Sequence, residues 1–264
     1  MNKTGEEPIL SLPERHNRIL ALLQQFGSIS VAQLAERFKV SEVTIRKDLS
    51  YLEQQKKLYR THGSAILISP YISARHVNEK EKRNVAEKRA IGAFAASLIA
   101  QDDSIIIASG TTVTFLAREI NPAGHLTAIT ASVPVTQILS QCPDVDVIQL
   151  GGITRSSSVS VVGPFAEQML RSFNCSKLFI GVDGIDTEFG LTTTNMLEAS
   201  LNGAMIDAAQ KVIVLADSSK FGRRGFSKIC DLESVDRIIT DSGVQSVYLD
   251  RLRERGIEVT VVDV

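Results

Sequence analysis

Hydrophobic positions in the first part of the chain recur three or four residues apart, which is the period of an amphipathic α-helix. Three consecutive segments show this period, with inward positions at Ile19, Leu22, Leu23 and Phe26, at Val31, Leu34, Ala35 and Phe38, and at Ile45, Leu49 and Leu52. The first helix is bounded by Pro13 and Gly27, while Ser30 and Ser41 are suited to cap the second and the third. The pattern therefore predicts three short helices, the last two joined by a tight turn.

Two short strand-like runs follow these helices. Residues Lys57–Arg60 and Ser64–Ile68 are separated by Thr61–Gly63, where the glycine permits a tight turn. Three helices followed by a β-hairpin predict a winged helix-turn-helix domain over residues 12–68. In this arrangement the third helix is the one that can enter the major groove of double-stranded DNA.

The outward face of the third helix carries side chains that suit DNA. At about 100° per residue, Val43, Arg46, Lys47 and Ser50 lie between roughly 100° and 200° from the inward Ile45. An arginine or lysine can donate to guanine, a serine can bond bases or phosphate, and a valine can contact a thymine methyl group. A solvated charged face on a small helical bundle would carry the same residue types, so this alternative stays open at this stage.

Further residues complete the candidate DNA-binding set. Ser41 and Thr44 stand at the start of the third helix, where free N–H groups and the helix dipole favour a backbone phosphate. Arg60 and His62 on the wing would lie near the DNA backbone, although surface hairpins commonly carry such residues. A protein-docking module is a further alternative, but it would need no basic face.

The rest of the chain alternates short apolar runs with helical segments. The runs are Ser104–Ala108, Leu126–Ala131, Val145–Leu150, Lys177–Val182, Lys211–Ala216, Arg237–Thr240 and Ile257–Val262. Such alternation predicts a mainly parallel sheet covered by helices, in a larger α/β domain over residues 81–264. Residues 69–80 are the expected linker, and the alternating charges of residues 79–89 are more typical of a solvated helix face than of a second DNA contact.

Polar clusters stand where the predicted strands end, which is where parallel sheets bind ligands. They are SGTT at residues 109–112, GGITRSSS at 151–158 with Arg155, DGID with Asp183 and Asp186, and DSSK with Asp217 and Lys220. Glycine, hydroxyl and basic groups supply donors for a phosphate, and carboxylates supply acceptors for sugar hydroxyls. SGTT alone is as consistent with a simple helix cap, but the four clusters together favour a phosphorylated sugar.

Composition narrows the class of protein. The chain is 44% hydrophobic and 22% charged, which is ordinary for a globular protein. Its net charge of −1 hides a basic first segment, because residues 1–68 hold 10 Lys/Arg against 7 Asp/Glu. No apolar run is long enough to cross a membrane and the N-terminus lacks an export signal, so we expect a cytoplasmic location without a membrane partner. The three cysteines and four histidines are scattered, which predicts neither disulfides nor a metal site.

The helical segments and the predicted wing together resemble a known family of domains. The segment ISVAQLAERFKVSEVTIRKDLSYLEQQKKLYRTHGSAIL resembles the winged helix-turn-helix of the DeoR family of bacterial transcription regulators. The departures are Lys47 in place of a usual second arginine, Lys56 where a glycine often precedes the wing, and Ser64 in place of a second glycine.

The resemblance continues through IIASGTT, GGITRSSSVSVVG, FIGVDGID, GLTT and VIVLADSSKFG, which look like the DeoR-type sensor domain. That domain is similar in fold to ribose-5-phosphate isomerase. Ala108 and Ala131 depart from the family pattern, which often has Asp and Asn there. Carried over by motif, the implied ligand residues are Ser109, Gly110, Thr111, Thr112, Arg155, Asp183 and Lys220, together with Asp186 and Glu198.

The resemblance implies a function and its partners. It implies a DNA-binding regulator that represses a carbohydrate-utilisation operon, is relieved by a phosphorylated sugar, and needs no cofactor. One small winged helix makes few base contacts, so we expect a homo-oligomer, a dimer or a tetramer, on operator DNA. The alternative is a sugar-phosphate isomerase-like enzyme with an attached DNA-binding module. In this alternative Glu198 could serve as general base. Glu198 lies on a helical stretch, however, where a surface glutamate would be ordinary. We expect no enzyme activity and assign no catalytic residue.

Overall fold

The structure is a computed structural model that describes residues 11–26, 28–55, 57–60, 64–67 and 77–264 of the chain. The chain divides into two compact units, Met1–Ser69 and Pro70–Val264. Of the expected linker, residues 69–76 lie outside the described residues, and residues 77–80 belong to the first helix of the larger unit.

The smaller unit contains the three expected helices and a small sheet. In chain order its elements are α1 (Leu12–Phe26), β1 (Ser28–Ser30), α2 (Val31–Phe38), α3 (Glu42–Gln54), β2 (Leu58–Arg60) and β3 (Ser64–Leu67). The wing strands β2 and β3 pair antiparallel, as predicted, and β1 adds a third strand on the other side of β3. The sequence pattern did not predict β1, which has only three residues.

Local chemistry sets the helix boundaries of this unit. Ser30 and Gln33 form a capping box at the start of α2, and Ser41 accepts a hydrogen bond from the Thr44 N–H at the start of α3. Between the helices, Lys39 adopts a left-handed conformation with φ of 53°, which makes the turn tight. The stripe residues with described side chains pack into one core, which includes Ile19, Leu34 and Ile45 at 0% exposure.

The larger unit is built around a parallel sheet. Its helices are α4 (Val77–Glu81), α5 (Val85–Ala96), α6 (Thr111–Glu119), α7 (Val133–Leu139), α8 (Pro164–Leu170), α9 (Met196–Asp207) and α10 (Ser246–Glu254). Its strands are β4 (Ser104–Ile107), β5 (Leu126–Thr130), β6 (Val145–Gln149), β7 (Ile153–Arg155), β8 (Ser160–Val162), β9 (Lys177–Gly181), β10 (Gly184–Asp186), β11 (Gly190–Thr193), β12 (Val212–Leu215), β13 (Ser227–Cys230), β14 (Arg237–Asp241) and β15 (Glu258–Val262).

The seven predicted strands form this sheet in the order β15-β14-β12-β9-β4-β5-β6, and all of its neighbours are parallel. The prediction of a mainly parallel α/β domain is therefore confirmed. From β4 the chain first builds outward through β5 and β6, then returns to place β9 on the other side of β4. This reversal opens a crevice beyond the carboxyl ends of β4 and β9, where open parallel sheets bind ligands.

Short antiparallel strands follow the carboxyl ends of β6 and β9. Strands β7 and β8 form a hairpin, so part of the polar cluster GGITRSSS is a strand. Strands β10, β11 and β13 form a second small sheet, so the DGID segment is also partly a strand. Across the described segments, no helix combines the length and hydrophobicity needed to cross a bilayer.

Candidate functional site

The outward face of α3 has the orientation expected from its period. Val43 is 62% exposed and Arg46 and Lys47 are exposed, whereas Ile45 is fully buried. The Arg46 guanidinium lies 2.9 Å from the Glu42 carboxylate one turn earlier, and both groups are exposed. Such exposed pairs are weak, so Arg46 can exchange Glu42 for another acceptor at little cost.

The start of α3 uses its hydroxyl groups for capping. The Ser41 Oγ accepts the Thr44 N–H at 3.2 Å and lies 2.9 Å from the Thr44 Oγ1. This mutual contact holds the two hydroxyls at the N-terminus of the helix, where the dipole favours an anion.

The wing is tied to α3 through Arg60. Its Nε donates to the Glu53 carboxylate at 2.6 Å, and its Nη1 donates to the Ser50 Oγ at 2.5 Å. Ser50 in turn donates to the Arg46 carbonyl at 2.8 Å. Both Ser50 and Arg60, which we predicted to contact DNA, therefore also fix β2 against the outward face of α3. The other wing residue of that prediction, His62, lies outside the described residues.

The larger unit has a cavity at the carboxyl ends of β4 and β9, with a volume of about 720 Å³ including its open mouth. Eight of the nine predicted ligand residues line it, namely Ser109, Gly110, Thr111, Thr112, Arg155, Asp183, Glu198 and Lys220. These residues come from separate strand ends and from α9, and the fold brings them together. Their roles in ligand binding stay a prediction.

Ser109 to Thr112 form the turn from β4 into α6. Gly110 is the N-cap of α6 with φ of 134°, a conformation that residues with a Cβ rarely adopt. It has no side chain to cap the first N–H groups, and the side chains of Thr111 and Thr112 stand beside them. A helix start of this kind binds phosphate oxygens through backbone N–H groups and the helix dipole.

Arg155 and Glu198 face each other without a good hydrogen bond. The Arg155 Nε lies 3.4 Å from the Glu198 Oε1, within the range of an ion pair, yet both atoms are buried and have no hydrogen-bond partner among the described residues. The contact between them is weak, because alignment as well as distance decides the strength of a hydrogen bond. A ligand oxygen could accept from Arg155. Glu198 is also not the surface residue that its helical context suggested, since only 13% of its side chain is exposed.

Asp183 is held at the strand end by four donors. Its Oδ1 accepts from the Lys80 ammonium at 2.6 Å, and its Oδ2 accepts from the Thr193 and Thr194 hydroxyls, each at 3.2 Å, and from the Thr194 N–H at 3.3 Å. Burial raises the pKa of this carboxyl, but the charge and hydrogen bond of Lys80, together with the Lys220 charge and the Thr193 hydrogen bond, outweigh burial, so the pKa lies below its ordinary value. Asp183 is therefore an anionic acceptor at neutral pH.

The charged run at residues 79–89 is not simply a solvated face. The Lys80 ammonium reaches the cavity, and Lys88 is only 2% exposed because its ammonium donates to the carbonyls of Lys80 and Arg83. Burial lowers the pKa of the Lys88 ammonium. The prediction was wrong for these two lysines: the Lys80 partner, Asp183, lies 103 positions away, and Lys88 folds back onto main-chain carbonyls of its own segment, so a charge pattern along the chain shows neither contact.

Asp186 lies outside the cavity, which corrects its assignment as a ligand residue. Its carboxylate is buried and accepts two hydrogen bonds from the Arg224 guanidinium, at 2.8 and 3.0 Å. It also accepts hydrogen bonds from the N–H groups of Glu188 and Phe189. These bonds close the turn between β10 and β11. The position of Asp186 at the end of DGID gave no sign of this, because β10 turns the side chain away from the strand end.

Lys220 contributes the remaining cation of the predicted set. Its ammonium lies 3.7 Å from Asp217, which is fully buried and accepts the Asn84 side-chain amide at 2.8 Å. The sequence reasoning missed six further polar residues that line the cavity, namely Lys80, Ser157, Ser158, Thr193, Thr194 and Asn202. Of these, Ser157 and Ser158 lie in the motif GGITRSSSVSVVG, and Thr193 is the last residue of the motif GLTT.

The groups that line this cavity suit an anion that also bears hydroxyl groups. Lys80, Arg155, Lys220 and the N-terminus of α6 supply positive donors, while Asp183 and Glu198 supply acceptors. The combination of a helix-turn-helix with a separate ligand cavity defines the class of protein as a ligand-sensing, DNA-binding one.

Comparison with known proteins agrees with this class. The family model for the DeoR-like helix-turn-helix domain matches residues 15–71, and the one for the DeoR C terminal sensor domain matches residues 83–242. The chain belongs to the DeoR family of transcription regulators.

Relatives match over nearly the whole chain. An uncharacterized HTH-type transcriptional regulator of Bacillus subtilis, YulB, is 39% identical over 94% of this chain and 96% of that protein. A putative aga operon transcriptional repressor of Escherichia coli O157:H7 is 37% identical over 98% and 97%. The lactose phosphotransferase system repressor of Streptococcus mutans is 36% identical over 86% and 91%. Among solved structures, ribose 5 phosphate isomerase A from Neisseria gonorrhoeae matches at 16% identity with a TM-score of 0.34, covering 51% of this chain and 52% of that one, which carries no functional weight.

Proposed function

We propose that this regulator represses a carbohydrate-utilisation operon and releases its operator when a phosphorylated sugar binds the cavity. The observation that carries the proposal is the start of α6 at Gly110, where uncapped N–H groups face a cavity that also holds Lys220 and Asp183. Two of the relatives are named as repressors, one of an aga operon and one of a lactose phosphotransferase system, which supports the carbohydrate class.

Each part of a sugar phosphate has suitable groups in the cavity. The phosphate would take the N-terminus of α6 with Thr111 and Thr112, and Lys220 or Arg155 would add charge-assisted hydrogen bonds. The sugar hydroxyls would donate to Asp183 and Glu198. No cofactor enters this proposal.

On the DNA side, we propose that Arg46 and Lys47 read base edges, that Val43 meets a thymine methyl group, and that Ser41, Thr44 and Ser50 contact phosphates or bases. Arg60 and His62 would lie near the backbone. We propose that the regulator works in the cytoplasm as a homo-oligomer, because one recognition helix makes few base contacts. Light scattering should show at least a dimer, and a monomer both free and on operator DNA would contradict this part of the proposal.

A thermal-shift screen tests the ligand. The full chain would be heated with pentose and hexose phosphates and, as matched controls, with the same sugars lacking phosphate. Binding to the folded state raises the apparent stability by mass action, so a phosphorylated sugar should raise Tm and its unphosphorylated counterpart should not. Equal shifts for both, or shifts for neither, would contradict a phosphate-dependent site.

One observation favours a second candidate function, a sugar-phosphate isomerase. Glu198 faces the cavity with a buried Oε1 that lacks a hydrogen-bond partner among the described residues, as a general base can. We nevertheless propose no enzymatic activity, since the family is one of transcription regulators. Turnover of a pentose or hexose phosphate that disappears in Glu198→Gln would reverse this order.

A further inference from the structure

Helix α4, which takes up the last four residues of the expected linker, forms part of the cavity wall. The Val77 N–H donates to the Ser157 carbonyl on the β7–β8 hairpin at 2.8 Å, and the Lys80 ammonium donates to Asp183 at 2.6 Å. Both Val77 and Lys80 line the cavity. The end of the expected linker is therefore in contact with the site.

The backbone around α4 is held independently of the Lys80 side chain. Lys88 donates to the Lys80 carbonyl at 2.7 Å, and the Asn84 side chain donates to Asp217 at 2.8 Å. These bonds and the Val77 N–H do not involve the Lys80 ammonium. A substitution at Lys80 should therefore leave the segment in place.

The Asp183 carboxylate is also held by more than Lys80. Lys80 is bound to Oδ1, whereas three neutral donors from Thr193 and Thr194 are bound to Oδ2. If the ammonium moves to another acceptor, Oδ2 keeps its partners and the carboxylate stays in position. Oδ1 is then available to accept a hydrogen bond from a ligand.

A phosphate entering this cavity meets both members of the pair. Phosphate carries about −1.5 to −2 charges near pH 7, so it attracts Lys80 and is repelled by Asp183. Lys80 and Asp183 have 28% and 12% of their side chains exposed, so water screens this interaction only in part. Phosphate and Asp183 therefore compete for one ammonium group.

We propose that Lys80 is a ligand-binding residue and that its exchange between Asp183 and the ligand phosphate determines the selectivity of the cavity, an inference that rests on the proposed function. A sugar phosphate offers an anion to Lys80 and a hydroxyl donor to Asp183, so both groups regain a partner. A sugar without a phosphate offers Lys80 no anion in exchange for Asp183. Inorganic phosphate satisfies Lys80 but leaves Asp183 facing a second anion.

Variants on the two sides of the pair should change phosphate affinity in opposite directions. Isothermal titration of the full chain with inorganic phosphate would compare wild type with Lys80→Met and Asp183→Asn, and with Lys82→Met as control because Lys82 is an exposed lysine two positions away. Lys80→Met should bind phosphate about tenfold more weakly or worse, the size of a lost charged hydrogen bond. Asp183→Asn should bind several-fold more tightly, and Lys82→Met like wild type.

The sign of the Asp183→Asn effect decides the outcome. If the pair were only structural, both variants would break it and both would weaken binding, so an Asp183→Asn variant that does not bind phosphate more tightly overturns the proposal. Unchanged binding in Lys80→Met overturns it too, while leaving the site at Thr111 intact. If neither wild type nor Asp183→Asn binds inorganic phosphate, this inference fails, while the proposed function is decided separately by the thermal-shift screen with sugar phosphates. Should Lys80→Met fail to fold, Lys80→Gln carries the same test.

Discussion

The Arg15 guanidinium donates two hydrogen bonds to the Asp48 carboxylate between α1 and α3, with Nε–Oδ2 at 2.6 Å and Nη2–Oδ1 at 3.1 Å. Both side chains are buried, and the His16 ring, which stacks on Tyr51, lies 3.1 Å from the same carboxylate. Asp48 follows Lys47 directly in α3. The Arg15–Asp48 pair therefore sets the rotation of α3 against α1, and with it the direction of the outward face of α3.

Asp48→Ala should destabilise the DNA-binding unit by about 3–5 kcal/mol, because it leaves the buried Arg15 charge without its partner. Denaturant unfolding followed by circular dichroism would measure this loss. The matched control is Glu42→Ala, which removes an exposed carboxylate from the same helix and should cost less than about 1 kcal/mol. Similar losses in the two variants would contradict the claim that the buried pair of Arg15 and Asp48 stabilises the unit more than an exposed ion pair does.

Arg46→Ala and Lys47→Ala should each weaken operator binding by about 1–3 kcal/mol without unfolding the domain, since a good base contact is worth that much and neither residue packs in the core. A mobility-shift titration at fixed salt would measure the loss. Arg18→Ala, which removes the same charge from an exposed site on α1, is the control. Wild-type affinity in either α3 variant would disprove the role of that residue.

Asp103 should make the larger unit sensitive to acid. Burial raises the pKa of its carboxyl, but hydrogen bonds from Lys177, the Ala100 N–H and Ser176 outweigh burial and bring the pKa below its ordinary value of 3.8. A carboxyl with a lowered folded-state pKa contributes stability above pH 3.8 and loses it as the pH falls through the folded value.

Asp103→Asn should therefore cost about 1–3 kcal/mol near pH 7, the size of a lost charged hydrogen bond, and progressively less below pH 3.8. Urea unfolding of both proteins from pH 7 down to pH 3 would follow the difference. A difference that stays constant over this range would contradict an ionised Asp103 as the stabilising form.

Features that depend on neighbours in the chain could be predicted from the sequence. The caps at Ser30 and Ser41 and the inward stripe around Ile45 are local, and so are the apolar runs that became the parallel strands. The candidate ligand residues were predictable for a related reason: the carboxyl ends of parallel strands meet at one edge of a sheet, so motifs that follow such strands converge.

Contacts between distant segments could not be predicted in this way. Lys80 meets Asp183 across 103 positions, and Asp186 turns to Arg224 because β10 pairs with β11. The buried Asp48 did leave a signal, since a carboxylate beside Ile45 and Leu49 on the inward stripe of a helix requires a partner. That signal pointed to a buried cation but did not identify Arg15.

Release of operator DNA tests the central claim most directly. A ligand shifts a two-state equilibrium only through its different affinities for the two states, and a shift from 1:99 to 99:1 requires about 5.5 kcal/mol, which is more than one hydrogen bond supplies. Phosphate contacts at Thr111 and Lys220 are the proposed source of this difference. Their variants Thr111→Val and Lys220→Ala should therefore still bind operator but hold it in the presence of ligand.

The measurement is a mobility-shift titration of the operator complex with the sugar phosphate that gives the largest thermal shift, run on wild type, Thr111→Val, Lys220→Ala and the exposed control Lys82→Met. The account predicts release from wild type and Lys82→Met, and retention of DNA by the two cavity variants at the same ligand concentration. Release of all four proteins at the same concentration would place the phosphate site elsewhere, and retention by wild type would contradict the proposed switch itself.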